Sequence, residues 1–376
     1  MNKLTRRTVL GAGSALGLSV GLQLGSTVTA TAQQAGQPSY YPGDYAKIIE
    51  ASKKENSLLI YSNMAEYNWA PVIAGFNKLY PWIKVQTLDL GSSEVFTRYN
   101  VEAGSNAKSG DLLATGSIEG WLKFVADKSI MDYKSAEDAK LPDWSKPFPG
   151  LYTVSTDPMV LVYNKQVVTE AEWPKSMADI AALIKKDPAK YKRGVTTYNG
   201  LASFGEPILS GWLRHGGDKA LAEFKIIGPA TVAEESSGTM VAKLSSGEYK
   251  LGYFMSGIVV FPKSEGGRGR LLGWHFPEDG TPLVMRSLAI PVKSTHVNAA
   301  KLMLDFVVSQ AGQTAFGIGG LTPYRDDVEV AGKLRHTYQS ITKQLGEKNI
   351  ILVNYDKAFM EGKPAFEKTW KEIVGE

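Results

Sequence analysis

The sequence predicts an α/β fold of two lobes, each built on a mainly parallel, doubly wound sheet, with a hinge and a cleft between them. Three observations carry this. From Ser57 onward, short apolar strands alternate with helix-length amphipathic segments, the rhythm of a parallel sheet covered by helices. Two long apolar runs, Leu151 to Val168 and Leu283 to Val292, read as strands that leave the first lobe and return to it. Once residues 1–32 are set aside, 344 of the 376 residues remain, enough for two cores.

The elements follow in order. Lys3, Arg6 and Arg7 precede a Gly-rich, mildly apolar stretch that ends at Ala30-Thr31-Ala32. Paired arginines, an apolar region and a small-x-small site predict a twin-arginine signal peptide over 1–32, cleaved after Ala32. Polar residues interrupt the stretch, so it is a poor membrane anchor. Residues 33–43 read as a linker. Asp44 to Lys54 is an amphipathic helix and Ser57 to Tyr61 a buried strand. Trp69, Val72, Ile73, Phe76 and Leu79 recur at helical spacing, with Asn68 as cap. Ile83 to Leu90 alternates as a strand, and Ser92 or Ser93 caps the next helix. Asp111 to Thr115 is a third strand, and Ser117 opens a helix.

Beyond the long strand 151–168, helices are expected at Ser176–Lys186 and Ser203–His215, with a strand at Gly194–Tyr198 between them. Tyr249 to Met255 is another strand. Asn298 is expected to cap an amphipathic helix, and two more helices, Asp326–Leu345 and Tyr355–Ile373, close the chain. The expected division is lobe one at 44–155 plus 286–376 and lobe two at 156–285.

Composition narrows the function. There are no cysteines, which excludes thiol catalysis, Cys-ligated metals, disulfides and an N-terminal lipid anchor on Cys. The formal charge of +4 falls to +1 once the signal's three basic residues are removed, so nothing favours nucleic acid. The four histidines, His215, His275, His296 and His336, are scattered without a zinc spacing. Gly200-Leu201-Ala202-Ser203-Phe204-Gly205 misses nucleophile-elbow spacing by one residue. No enzyme, resident metal or cofactor is indicated, and no segment beyond the signal is suited to a bilayer.

Ligands in doubly wound sheets sit at strand C-terminal ends beside helix N-termini, which favour anions. The loops so placed are Ser62-Asn63, Ser92-Ser93, Thr115-Gly116-Ser117, Tyr198-Asn199 and Ser236-Ser237-Gly238-Thr239. Each is equally ordinary capping chemistry. Glu66 and Tyr67 could reach a ligand from the rim, Tyr163 from the crossing strand, and Ser256 from the end of its strand. Arg286, inside the apolar run LVMRSLAIPV, needs a partner. A carboxylate or phosphate ligand could supply it, as could an internal salt bridge. Arg325 is a weaker candidate of the same kind.

The ordered set Tyr61-Ser62, Phe76 to Val85, GDLLATG (Gly110 to Gly116), LVYNKQVV (Leu161 to Val168), SGEYKLGYF (Ser246 to Phe254), Leu288 to Gln313 and LTPYR (Leu321 to Arg325) resembles the extracellular solute-binding proteins of the ferric-binding type. The resemblance spans nearly the whole chain after the signal. It implies a type II periplasmic-binding fold, monomeric, handing its ligand to an inner-membrane ABC permease. Iron-binding members use an adjacent tyrosine pair after the strand that here ends Tyr253-Phe254-Met255-Ser256. That pair is absent, and so is the family's histidine after the first strand. The expected ligand is therefore a small organic anion, a carboxylate or a phosphorylated or phosphonate compound, with ferric iron as the alternative.

Overall fold

The computed structural model describes residues 38–105, 107–355 and 357–375. The expected signal and the first part of the linker fall outside these residues. The α/β expectation holds. α1 (Tyr45–Glu55), β1 (Ser57–Ser62), α2 (Glu66–Leu79), β2 (Lys84–Asp89), α3 (Glu94–Gly104), β3 (Leu112–Thr115) and α4 (Ile118–Ala126) form the first unit. β1 pairs in parallel with β2 and with β3. All three strands therefore end at one edge, where α2, α3 and α4 begin.

β4 (Leu151–Asn164) is buried along its whole length, and so shows no alternation, as for a strand covered on both faces. It pairs antiparallel with β9 from Leu151 to Pro158, then with β7 and β8 from Met159 onward. One strand thus belongs to both sheets. The second unit runs through α5 (Met177–Lys186), α6 (Pro188–Tyr191), β5 (Val195–Tyr198), α7 (Gly205–Ile227), β6 (Thr231–Glu234), α8 (Ser237–Ser246), β7 (Leu251–Ser256), α9 (Gly257–Lys263) and β8 (Leu272–His275). β9 (Thr281–Ala289) returns to pair with β3. α7 is bent at Gly217, whose φ of 55° suits glycine alone. α10 (Val297–Val308), α11 (Gln310–Ile318), α12 (Tyr338–Leu345), β10 (Ile350–Val353) and α13 (Lys357–Val374) follow. The strand order is β2-β1-β3-β9-β4-β7-β5-β6, with β10 on β9 and β8 on β4.

Two cores result. Ile60, Trp69, Phe76, Leu302, Phe316 and Tyr324 centre the first. Ile180, Trp212, Phe224, Tyr253, Phe254 and Trp370 centre the second. A smaller cluster, Phe96, Leu113, Trp121 and Phe124, fills the other face of the first sheet.

Several expectations change. The expected first lobe included everything after 286, but Ile341, Ile351, Val353, Phe366 and Trp370 pack into the second core. Periodicity shows that a helix has an apolar face; it does not show which core receives it. The helix expected over Asp326–Leu345 forms only from Tyr338. Asn68 does not cap α2. It lies inside the helix, buried, with Nδ2 donating to the Gly319 carbonyl at 2.7 Å. Neither Ser92 nor Ser93 caps α3 through its side chain. Asn298 lies within α10, where its amide and side chain donate to Glu55.

Candidate functional site

The ends of β1 and β2 face the ends of β5, β6 and β7 across a cavity of about 260 Å³. Asn63, Tyr67, Asp89 and Ser92 line it from the first unit; Tyr198, Phe204, Glu235, Ser236, Ser237, Gly238, Ser256 and Lys263 line it from the second. Arg286, on the returning strand β9, lies between the two groups.

A polar network underlies the cavity. Asp157, fully buried on β4, accepts from Arg286 Nη2 at 2.8 Å and Nε at 3.3 Å, from Ser256 Oγ at 2.5 Å and from the Ile258 amide at 3.2 Å. Arg286 Nη1 donates to Asn63 Oδ1 at 2.7 Å, and its guanidinium stands 5.0 Å from the Phe204 ring centroid. Asn63 Nδ2 in turn donates to Ser92 Oγ at 2.7 Å.

The direction of these bonds has a consequence for a ligand. Arg286 can only donate, and it donates to both Asp157 and Asn63. Asn63 therefore turns its carbonyl toward Arg286 and its NH2 toward Ser92. Ser92 Oγ accepts, so its own O–H is free to donate elsewhere. On the other side, Ser237 Oγ accepts from the Ser256 amide at 3.0 Å and lies 2.5 Å from Tyr198 Oη. Whichever of those two hydroxyls donates to the other, one O–H is left over. The network thus leaves one uncommitted O–H on each side of the cavity.

The first turn of α8 adds to this. The Ser236 hydroxyl takes the Thr239 amide, which leaves the amides of Ser237 and Gly238 without intrahelical acceptors. Lys263 Nζ lies 3.6 Å from where a Cβ on Gly238 would stand. A positive helix end and an ammonium therefore share one corner. Asp89 and Glu235 supply negative charge. Burial raises the Asp89 pKa while Arg286 pulls it down. Burial also pushes the hydroxyls of Tyr67 and Tyr198 up to about 12, so both are neutral donors at ordinary pH.

Of the residues read from the sequence, Asn63, Tyr67, Ser92, Tyr198, Ser236, Ser237, Gly238, Ser256 and Arg286 meet at this cavity. Arg286 finds its partner inside the protein, in Asp157. The others do not line the cavity. Ser62 Oγ accepts from the Met64 amide and Trp69 Nε1. Glu66 is an exposed residue that opens α2. Ser93 is exposed at the start of α3. Thr115 Oγ1 donates to the Ser92 carbonyl, and Ser117 Oγ caps α4. A Cβ at Gly116 would meet Phe204 at 2.8 Å, so this glycine permits close packing. Tyr163 stacks on Trp173 and His275. Asn199 Nδ2 donates to Glu235. Capping and core packing claimed the same residue types that serve ligands. Asp89, Glu235 and Lys263 went unread because a charged residue at a strand or helix end carries no pattern.

Two other constellations bear on function. Ser57 Oγ lies 3.0 Å from His296 Nε2, and His296 Nδ1 lies 2.9 Å from Asp111 Oδ2. This is the order of a Ser-His-Asp triad. However, Asp111 also accepts the amides of Leu59, Thr295 and His296. It clamps the loop before α10, at the sheet edge opposite the cavity. Tyr253 and Phe254, where the iron-binding tyrosines would fall, are buried in the second core. Tyr40 and Tyr41 both donate to Glu137, away from the cavity.

Known proteins agree with this geometry. The model of the bacterial extracellular solute-binding protein family matches residues 61–314. The substrate-binding protein of an ABC transporter from Agrobacterium tumefaciens is 21% identical with a TM-score of 0.75, over 85% of this chain and 94% of that one. The periplasmic binding protein AfuA from Actinobacillus pleuropneumoniae, solved with fructose-6-phosphate, is 19% identical with a TM-score of 0.67, over 85% and 98%. The ferric binding protein from Campylobacter jejuni is 19% identical with a TM-score of 0.62, over 84% and 99%. No curated protein matches the sequence. The fold is of the type II periplasmic-binding kind, and the chain belongs to the bacterial extracellular solute-binding proteins.

Proposed function

We propose that this protein is the periplasmic solute-binding component of an ABC importer, and that its solute is a small phosphorylated or phosphonate anion carrying hydroxyl or amino groups. One observation carries the reading: the hydrogen-bond network leaves one uncommitted O–H on each side of the cavity, beside the α8 N-terminus and Lys263. Oxyanions are the natural match for convergent donors and a helix N-terminus. Arg286, already neutralised by Asp157, orients Asn63 rather than supplying the main counter-charge. Asp89 and Glu235 suit ligand O–H or N–H groups, which favours a substituted phosphate over a bare one. The likeness to AfuA makes fructose 6-phosphate a sensible first compound.

In this reading the twin-arginine signal is removed after Ala32 and the product acts as a monomer, without catalysis or a resident cofactor. β4 and β9 serve as the hinge between lobe one, 44–155 with 286–325, and lobe two, 156–285 with 338–375. Closure buries the solute and presents the closed form to the permease.

Thermal shift tests the solute directly. A sugar phosphate at ~100 times its dissociation constant should stabilise the protein by about 2.7 kcal/mol. Citrate and ferric citrate serve as competing arms. If ferric salts alone raise the melting temperature, and the protein becomes coloured, the anion reading is overturned in favour of iron.

A further inference from the structure

Away from the cleft, α7 and α13 enclose a second cavity, of about 270 Å³. Its walls are apolar: Leu213 on α7, and Phe359, Ala365 and Phe366 on α13. An apolar cavity of about 150 Å³ already holds a benzene ring. The space is not closed by side chains, since a Cβ on Gly362 would meet no atom within 4 Å.

Two polar features are built into these walls. Ser210, only 6% exposed, lines the cavity, and its Oγ makes no hydrogen bond. It lies one turn after Glu206, whose Oε1 is likewise buried and unbonded and whose carboxyl the Ser210 hydroxyl and Arg214 both pull down against the larger effect of burial. A buried hydroxyl left without a partner is costly and rare. One turn further along the same stripe, Arg214 lines the cavity mouth with no ion-pair or hydrogen-bond partner among the described residues. Apolar walls, one idle hydroxyl and one idle guanidinium define a ligand with an apolar body and a single anionic head.

We propose that the α7–α13 cavity is a second binding site, for a small apolar monocarboxylate whose carboxylate bridges Ser210 Oγ and Arg214. The site is separate from the cleft and does not depend on the solute proposed there. Glu206 does not oppose such a ligand, because burial raises its pKa to about 7 and its protonated form is well populated at neutrality. α13 also reaches the first unit, through Lys363 Nζ to Glu119 Oε2 at 2.6 Å. An occupant wedged against α13 is therefore placed to bias the relation between the lobes.

Calorimetric titration of the protein with benzoate, benzylamine and benzyl alcohol tests this. Benzoate should bind, benzylamine should not, and benzyl alcohol should bind about tenfold more weakly or worse. Gly362→Leu, which fills the cavity with a better helix former, should abolish benzoate binding. Arg214→Gln, an exposed change that does not threaten the fold, should weaken it about tenfold. Lys263→Ala, in the cleft, should leave it unchanged. Absence of benzoate binding, equal binding of benzylamine, or binding lost in Lys263→Ala but kept in Gly362→Leu would each overturn the proposal.

Discussion

Arg286 under the cleft and Arg325 at the far side of the first core look alike from outside. Each is 3% exposed and each is paired with a buried carboxylate. Their donors are spent differently. Arg325 gives Nε and Nη2 to Asp327 and Nη1 to Glu137 and the Val308 carbonyl. Arg286 gives Nε and Nη2 to Asp157 and Nη1 to Asn63, while its face lies on Phe204 at the cavity edge. Of five guanidinium donors, Arg325 commits four and Arg286 three. Burial alone does not show which parts of the molecule a charge joins. Where the donors lead does: those of Arg325 lead to Glu137 and to Asp327 at a surface away from the cleft, and the chain from Arg286 ends on Ser92 in the cleft.

The comparison breaks if the two arginines respond alike. The largest effect is expected from Arg325→Met, which strands Glu137 in the core. It should cost about 3–5 kcal/mol in denaturant unfolding and leave solute affinity of the folded fraction unchanged. Arg286→Met should cost a similar amount and also lower solute affinity, because Asn63 loses its orientation. Equal affinities for the two variants in calorimetry would remove the distinction.

A pH experiment separates the cleft from the α7 stripe. Burial raises the Glu206 carboxyl from its usual range to about 7. Between pH 4.5 and 7 the folded state then holds a proton that the unfolded state has released, so this group's contribution falls as pH rises through that window. Glu206→Gln should therefore flatten the loss of stability from pH 5 to pH 8 by about 2 kcal/mol, with no change in solute affinity. Comparable in size is Lys263→Ala. Lys263 is exposed, so its removal should leave the melting temperature alone and weaken a phosphate ligand by about 1.5–3 kcal/mol. Ser92→Ala, which deletes one uncommitted O–H, should cost about 1 kcal/mol of affinity. Together these variants sharpen the contrast between orienting and contacting residues.

Much of the fold was legible in the sequence because each strand announced itself locally. SLLIY at 57–61 and the run entering at Leu151 needed no tertiary information. The site was legible only in part. Asn63, Ser92, Tyr198 and Ser237 could be found from topology, since strand ends and helix starts are where doubly wound sheets hold ligands, and Arg286 from its charge inside an apolar run. Asp157 could not: it lies in Thr156-Asp157-Pro158, and its partner is 129 residues away. Reading Arg286 as a charge that needs a partner was sound, but whether that partner is ligand or protein is settled by a strand pairing no local pattern encodes. Lys263 was hidden for a similar reason, as it reaches the cavity only because α9 ends beside the first turn of α8.

The double membership of β4 bears on how the protein folds. Its first half is an edge strand of one sheet, paired with β9, and its second half is an interior strand of the other, between β7 and β8, and the last helix of the chain seals a core that begins before residue 180. No N-terminal fragment that ends before residue 324 contains the first core complete, and none that ends before residue 373 contains the second. The lobes are thus distinct in shape but joined in cooperativity: loss of β4 from one sheet frays it in the other. Unfolding should then proceed as a single transition, because the strand shared by the two sheets keeps the lobes from melting apart.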